Sequence, residues 1–220
     1  MNPDERRNAI VNATVSVMVQ KGMAATTVRD VAQQMGTSSG LIHHYFATMD
    51  ELLAAAFDQA AGQDLEATRA AMANCHGPVQ ELTAFFSTYA RAEQEWTFQL
   101  WLDAWSEAAR RPDVRETSRR LNVAWQQLLV QTISAGAKDG VLVCPDPEAA
   151  AWRVLALLDG LVLQAVAHRV PIGREQVIAW AVAHAETELG LPAGSVERFR
   201  RPRAARVPSV RSCGRQARTV

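Results

Sequence analysis

Hydroxyl and imidazole groups are concentrated in one short segment of this 220-residue chain. Thr37, Ser38 and Ser39 come first, and His43 and His44 follow closely. Hydroxyl groups at the start of a helix suit phosphate oxygens, because the backbone N–H groups and the helix dipole point the same way. An imidazole can hydrogen bond to a base edge or a phosphate, although a histidine within a helix more often has a structural role. These groups together indicate contact with nucleic acid.

Two short helices joined by a tight turn must position these groups. Val28, Val31, Ala32 and Met35 fall at i, i+3, i+4 and i+7, which predicts one apolar helical face. Gly36 follows them, where a helix end commonly needs a positive φ. A second helix, which Ser38 can cap, carries the inward residues Leu41, Ile42, Tyr45 and Phe46. The second helix of such a helix-turn-helix can enter a DNA major groove, so DNA binding is the leading hypothesis.

Residues 26–53 resemble the signature of the tetracycline-repressor (TetR) family of bacterial transcription regulators. The matching positions are Thr27, Val31-Ala32, Gly36-Thr37-Ser38, Gly40, Tyr45-Phe46 and Leu52-Leu53. Residues 40–46 resemble especially the BetI-like branch, typified by the choline-responsive repressor of glycine betaine synthesis. Two positions depart from the family pattern, because His43 replaces a common Tyr and Met49 replaces a Lys near a phosphate. The resemblance is strong over about residues 6–60 and architectural beyond them.

Residue types and resemblance together predict a DNA-binding surface. Thr27 can cap the first helix of the pair, Arg29 and Lys21 are candidate phosphate partners, and Gly40 allows close backbone approach. The predicted DNA-binding residues are Thr27, Arg29, Thr37, Ser38, Ser39, Gly40, His43, His44 and Tyr45. Residues 1–47 carry a net charge of only +1, and DNA affinity depends mostly on cations. We therefore expect modest affinity from one copy and a dependence on dimerisation.

Composition excludes several other classes of protein. Hydrophobic residues make up 48% and charged residues 21%, as in ordinary soluble proteins. The N-terminal residues do not resemble a signal peptide, and no uninterrupted apolar run reaches about 18–20 residues, so we expect a cytoplasmic protein without a leader or a membrane partner. Three distant cysteines indicate neither a disulfide framework nor a metal site. The chain also lacks phosphate-loop, dinucleotide and nucleophile-elbow patterns, so we expect no enzymatic activity, metal or cofactor.

The sequence predicts an all-α protein of about nine helices, because sheet signals are almost absent. We expect a helix-turn-helix three-helix DNA-binding domain at residues 1–47, a helical ligand-binding and dimerisation domain at 48–192, and an Arg-rich disordered tail at 193–220. After Glu197 the tail holds eight arginines and no acid, which leaves a net charge of −8 elsewhere. That tail is either a solvated extension or a source of non-specific attraction to phosphate.

Helix boundaries follow from caps and breakers. Thr48 and Glu51 predict a capping box at the start of the fourth helix. The seventh helix should follow Pro112 and end near Ala137. The other predicted helices outside the helix-turn-helix cover about residues 3–21, 48–73, 78–91, 93–110, 147–169 and 174–189.

Aromatic residues concentrate in the middle of the chain and predict a ligand site. Trp101 and Trp105 are i, i+4 neighbours, with Asp103 and Glu107 nearby. The candidate ligand-binding residues are Phe86, Tyr89, Trp96, Trp101, Trp105 and Trp125. Clustered ring faces and carboxylates could hold a quaternary ammonium such as choline, which the resembled branch also implies. A flat aromatic or apolar metabolite would fit too, and for each residue core packing is the alternative.

The last two helices carry long apolar faces. The resembled family pairs these helices with a second copy as a four-helix bundle, and the alternative is burial within one chain. The candidate dimerisation residues are Leu155, Leu158, Val162, Val177, Trp180 and Ala181. A homodimer would bind a near-palindromic operator in double-stranded DNA, and a small-molecule effector would release this repressor. The alternative function is a helical protein-interaction adaptor that does not bind DNA.

Overall fold

The computed structural model describes residues 2–89, 95–168 and 170–196. That part of the chain forms nine α-helices and no strand, so the predicted all-α class is confirmed. The helices are α1 (Pro3–Lys21), α2 (Val28–Met35), α3 (Ser39–Tyr45), α4 (Met49–Ala73), α5 (Pro78–Tyr89), α6 (Glu95–Ala108), α7 (Pro112–Lys138), α8 (Pro147–Val166) and α9 (Arg174–Glu188).

Most predicted helix ends agree with the structure, and two differ. α6 ends at Ala108 rather than near Arg110, since Pro112 disfavours a helical conformation at the extended Arg111 before it. α8 ends at Val166, before the predicted Arg169. The predicted end of the fifth helix, the predicted start of the sixth, Arg169 itself and the Arg-rich segment after Glu197 lie outside the described residues.

Side-chain caps define where α1 and α4 begin. The side chain of Asn2 accepts a hydrogen bond from the Glu5 N–H at 2.7 Å, and Glu5 accepts one from the Asn2 N–H at 2.9 Å. At α4, Thr48 Oγ1 accepts from the Glu51 N–H at 3.0 Å. Glu51 accepts from the N–H of Ala47 instead of Thr48, so the predicted capping box is half formed and its return bond is shifted by one residue.

A continuous core connects the helix-turn-helix to the rest of the molecule. α1 packs on α2 and α4, α7 packs on α4, α6 and α8, and α8 packs on α9. Buried side chains run from Ile10 in α1 through Phe57 in α4 to Leu129 in α7. Each large apolar side chain buried in this way stabilises the fold by about 1.5–3 kcal/mol. A shift of α4 or α1 therefore moves the attached α2–α3 pair.

By length and composition one described helix, α8, could cross a membrane. Core helices of soluble proteins satisfy the same criteria. Six side chains of α8 are buried within the chain, among them Val154, Leu155 and Leu158. α8 thus acts as a core helix in this fold.

Candidate nucleic-acid interface and ligand cavity

The start of α2 is capped by Thr27, as predicted. Thr27 Oγ1 accepts from the Asp30 N–H at 3.2 Å, and Asp30 Oδ2 accepts from the Thr27 N–H at 3.1 Å. Asp30 also forms an ion pair with Lys21. The hydrogen bonds from Lys21 and then Thr27 lower the pKa of Asp30 below its ordinary value. Lys21, a candidate phosphate partner by sequence, is therefore engaged within the protein, whereas Thr27 and Arg29 are exposed.

The turn between α2 and α3 depends on Gly36. This residue has φ 62° and ψ 37°, the left-handed region, and its N–H bonds back to α2. A Cβ at this position would meet no atom within 4 Å, so the glycine is needed for its φ alone. Ser38 occupies the N-cap of α3, but its side chain makes no capping hydrogen bond. The predicted side-chain cap is wrong, and the Ser38 hydroxyl lies on the exposed surface.

α3 presents its polar groups on the outside of the molecule. Ile42 and the following Phe46 are buried and attach the helix to the core. The predicted DNA-binding residues of this region differ in their exposure. Four are exposed, namely Ser38, Gly40, His43 and His44, and three are partly buried, namely Thr37, Ser39 and Tyr45. Gly40 and His44 lie at i and i+4 on one face of α3, and Thr37 precedes the helix in the turn. Hydroxyl, backbone and imidazole groups thus share a surface that could meet a phosphate backbone and base edges.

A cavity between the middle helices collects most of the predicted ligand residues. Its volume is about 570 Å³, counting the space open to solvent at its mouth. Its lining consists of Asp64, Thr88, Tyr89, Thr97, Phe98, Trp101, Leu102, Trp105, Asn122, Trp125, Leu155, Asp159 and Val162. Two candidates are outside this lining: Phe86 is 2% exposed and packs on Phe85 in the core, and Trp96 is 38% exposed on the surface. The assignment of Phe86 and Trp96 to the ligand site is therefore corrected, since the first is a core residue and the second a surface residue.

The rings in the cavity contact one another edge-on and face-on. The centroids of Trp101 and Trp105 are 5.8 Å apart, and Trp101 also meets Phe57 of α4 edge-on at 5.0 Å. Tyr89 lies 5.9 Å from both Trp125 and Phe98 and is nearly parallel to Phe98. Trp125 Nε1 is buried and has no acceptor among the described residues. An unpaired buried donor costs about 1–3 kcal/mol, which a ligand oxygen that reached it would offset.

The carboxylates of the cavity are not the predicted ones. Asp103 Oδ2 accepts from the Met23 N–H at 2.9 Å, and Glu107 accepts from Arg111 at 2.7 Å. Each of these acids is two residues from a tryptophan on α6, which places it about 200° around the helix from that ring. Asp64 from α4 and Asp159 from α8 line the cavity instead.

The cavity has a negative electrostatic character. Burial raises the pKa of Asp159 from 3.8 to about 7. Burial also raises the pKa of Tyr89 well above its usual value, and the nearby charges of Asp159 and then Asp64 raise it further. In the described part of the chain no cationic side chain forms an ion pair with Asp159. The cavity thus joins ring faces to a desolvated carboxylate.

Sequence reasoning missed Asp64, Phe98 and Asp159 as lining residues. Asp159 carried a usable signal, because it interrupts the apolar run from Val154 to Val166. An acid in such a run is buried when the helix packs, and a buried acid is a candidate functional group. Asp64 carried no such signal, since it lies in a polar stretch of α4.

Most of the candidate dimerisation residues lie in the core of the chain and not on its surface. Five of them are buried inside one chain, namely Leu155, Leu158, Val162, Val177 and Ala181. They hold α8 and α9 against the rest of the same chain, so their assignment to a surface for a second copy is corrected. Trp180 is 48% exposed, and Trp152 on α8 is 40% exposed. These two rings are the large apolar groups that the α8–α9 surface leaves open.

Comparison with known proteins assigns both halves of the chain. Residues 10–56 match the family described as bacterial regulatory proteins, tetR family. Residues 78–190 match the BetI-type transcriptional repressor, C-terminal family. Together these segments cover the helix-turn-helix and every lining residue of the cavity except Asp64.

Individual relatives agree with this assignment. The chain is 32% identical to the HTH-type transcriptional regulator BetI of Rhizobium meliloti, over 79% of this chain and 84% of that protein. It is 32% identical to BetI of Paraburkholderia xenovorans, over 72% and 80%. Among solved structures, a Pseudomonas aeruginosa PAO1 protein has 27% identity and a TM-score of 0.74, covering 91% and 96% of the two chains.

A second solved neighbour shares the fold at lower identity. This Saccharomonospora viridis protein, in complex with choline, has 21% identity and a TM-score of 0.76, covering 84% of this chain and 98% of that one. The chain therefore belongs to the tetR family of bacterial regulatory proteins, with a BetI-type C-terminal domain, and is a helix-turn-helix transcriptional regulator rather than an enzyme.

Proposed function

We propose that this protein is a cytoplasmic homodimeric repressor that leaves its operator when a quaternary ammonium compound enters the cavity. The observation that carries this proposal is the combination of ring faces and a desolvated carboxylate at Asp159. A cation is attracted to the faces of Trp rings, most strongly where water is excluded. It also stabilises the ionised form of Asp159, which burial otherwise disfavours, whereas a neutral aromatic ligand would not. Binding of choline by a structural neighbour supports the same ligand class.

The operator contacts are assigned to the outer surface of α3 and the start of α2. Ser38, His43 and His44 are exposed on or next to α3, and Thr27 and Arg29 are exposed at the start of α2. Phosphate contacts from Thr27, Arg29 and the hydroxyls would position the helix, and the imidazoles would reach base edges. Gly40 is exposed and has no side chain to hold the backbone away from DNA.

A second copy is expected to pack on the exposed side of α8 and α9. Trp152, Ala156 and Gly160 succeed each other at a spacing of four on α8, and Trp180 lies on the neighbouring helix α9. Small residues between the tryptophans would allow two helix pairs to approach closely. The dimer would place two α3 helices about 34–36 Å apart, on successive major grooves of a near-palindrome.

Two contacts connect the cavity to the helix-turn-helix. Trp101 meets Phe57 of α4, and α4 begins immediately after α3. From the same helix as Trp101, Asp103 accepts a hydrogen bond from the N–H of Met23, a fully buried residue between α1 and α2. An effector that displaces Trp101 would therefore move α4 and the α1–α2 corner together. Release requires that the effector bind this second arrangement more tightly than the first.

A titration with a matched pair of ligands tests the proposal. The full-length protein is mixed with labelled DNA from upstream of its own reading frame, and choline chloride or its uncharged carbon isostere 3,3-dimethylbutan-1-ol is added. We expect a retarded band of the protein–DNA complex. Choline should dissociate this complex, and the neutral isostere should not. Tryptophan fluorescence measures binding of both compounds directly.

Three other outcomes would each contradict a different part of the proposal. Equal binding of the two compounds would show an apolar pocket and reject the cationic effector. Binding of choline with no effect on the DNA complex would reject the coupling. Absence of any protected DNA would favour a protein-interaction adaptor over a repressor.

A further inference from the structure

Asp50, in the first turn of α4, bonds to the start of a different helix. Its Oδ2 accepts a hydrogen bond from the backbone N–H of Asp113 at 3.1 Å, across 63 positions of the chain. α7 lacks a side-chain cap of its own, because Arg111 at its N-cap makes no capping hydrogen bond and Pro112 has no N–H. Asp113 is therefore the first residue of α7 with an N–H to donate, and Asp50 caps it from α4. The positive end of the α7 dipole favours an acid there.

The carboxylate of Asp50 is only half satisfied by this contact. Its other oxygen, Oδ1, is buried and has no hydrogen-bond partner among the described residues. A buried acceptor without a partner costs free energy, which offsets part of what the Oδ2 bond contributes. If the start of α7 moved away from α4, both oxygens would reach water. The contact therefore stabilises one arrangement of α4 and α7 by a small amount, as a reversible change between two states requires.

The corner between α6 and α7 contacts the helix-turn-helix domain at a second place. Asp103 of α6 accepts a hydrogen bond from the Met23 N–H at 2.9 Å, between α1 and α2. Only residues 109–111 join α6 to α7, and Glu107 near the end of α6 accepts from Arg111 at 2.7 Å. The end of α6 and the start of α7 are therefore fastened together, and a shift of one shifts the other.

Both helices of this corner also line the aromatic cavity. Trp101 and Trp105 come from α6, and Trp125 comes from α7. Trp105 lies in the last turn of α6, close to the corner. A ligand that pushes these rings outward therefore changes the position of the start of α7 relative to α4, which is the distance that the Asp50 bond spans.

We propose that Asp50 is a positioning residue for the effector response. Its bond to the Asp113 N–H stabilises the operator-binding arrangement, and the bond is lost when an effector fills the cavity. This inference rests on the proposed function and adds the contact that the effector must break. Removal of the bond should therefore make the effector bind more tightly. Loss of a residue that only maintained the fold would instead weaken effector binding.

Two variants of Asp50 test the sign of this effect. Choline is titrated into the full-length proteins without DNA, with tryptophan fluorescence or calorimetry as the readout. We expect choline to bind Asp50→Ala about tenfold more tightly than the wild type, the lower range for a hydrogen bond to a charged group. Asp50→Asn keeps an uncharged acceptor, so its choline affinity should lie between the two.

Asp113→Ala is the matched control for the charge at this corner. It removes an exposed acid but keeps the backbone N–H that Asp50 binds, so its choline affinity should equal that of the wild type. Circular dichroism and thermal unfolding establish that each variant is folded. If Asp50→Ala does not fold, Asp50→Asn alone still tests the sign.

Release of DNA provides the second measurement. The choline concentration that dissociates half of the protein–DNA complex should fall about tenfold in Asp50→Ala. Operator affinity without choline should change by less than about twofold, because the operator-binding arrangement remains the major one.

The outcomes separate this inference from the proposed function. If both Asp50 variants bind choline no more tightly than the wild type, the role of Asp50 is rejected and the cation site stands. An equal gain in Asp113→Ala would assign the effect to charge and overturn the assignment to the hydrogen bond. If the wild type does not bind choline, or binds it without releasing DNA, the proposed function fails and this inference fails with it.

Discussion

Replacing Asp159 with asparagine should stabilise the free protein and weaken its binding of cations. In the wild type, burial raises the pKa of Asp159 from 3.8 to about 7, so the folded state disfavours the charged form. A difference of about three pKa units corresponds to about 4 kcal/mol of lost stability once the carboxyl is ionised in both states. Asparagine removes that cost, because it carries no charge at any pH.

The sign of the pH dependence follows from proton uptake. Between pH 3.8 and about 7 the folded state holds the Asp159 proton and the unfolded state has released it. The stability of the wild type therefore falls as pH rises through that interval and levels off above it. Relative to Asp159→Asn, the wild type should lose about 2–3 kcal/mol of unfolding free energy between about pH 5 and pH 8.

The substitution Asp159→Asn, which should stabilise the fold, should weaken the binding of cations. Two unit charges about 5 Å apart at an effective dielectric constant of about 20 interact by about 3 kcal/mol, so losing the carboxylate should weaken choline binding about a hundredfold. In the wild type, choline affinity should be about tenfold weaker at pH 6 than at pH 8, since only the ionised form is competent. In Asp159→Asn, the affinity for choline should not change between pH 6 and pH 8.

Urea unfolding and choline titration at several pH values measure both effects. Asp139→Asn serves as the control, because Asp139 is exposed at the end of α7 and its loss should change stability by about 0.5 kcal/mol or less. A variant no more stable than the wild type at pH 8, with unchanged choline affinity, would refute the reasoning about Asp159.

Three further predictions concern the helix-turn-helix and the second copy. Gly36→Ala should lower the unfolding free energy by about 1–2 kcal/mol in thermal or urea denaturation, because alanine is strained at φ 62°. A fall of this size should not occur in Ala47→Gly, an exposed position outside the turn. His44→Ala should weaken operator binding by about 1–2 kcal/mol in a gel shift while leaving the melting temperature unchanged, because the imidazole is exposed; unaltered DNA affinity would remove His44 from the interface. Trp180→Glu should convert the proposed dimer to monomers in sedimentation, since the ring is 48% exposed on α9, and a persistent dimer would locate the interface elsewhere.

Local features of the chain were predictable in detail. Thr27 and Gly36 define the ends of α2 through a cap and a left-handed residue, and neither depends on distant contacts. The same holds for the start of α1 and for Thr48 at α4, where only the return bond from Glu51 was misplaced by one residue. Periodicity also identified inward residues of the helix-turn-helix, such as Val31 and Ile42, which are buried.

The composition of the cavity was predictable only in part. Trp101 and Trp105 share a helix face by their spacing, so the periodicity of α6 alone predicted that the two rings would lie side by side. The partner carboxylates did not, because Asp64 and Asp159 come from α4 and α8 and meet the rings only when these helices cross. Nearness in sequence favoured Asp103, whose side chain points to the α1–α2 corner instead.

The chain by itself therefore determined its helices, its helix-turn-helix and its family, since caps, turns and periodicity act over a few residues. Tertiary structure alone decided which acids line the cavity and which apolar side chains of α8 and α9 are exposed. Leu158 and Trp180 are both apolar in sequence, yet packing buries the first and leaves the second open. The reason is that an apolar face has no preferred partner until helix crossing places one against it.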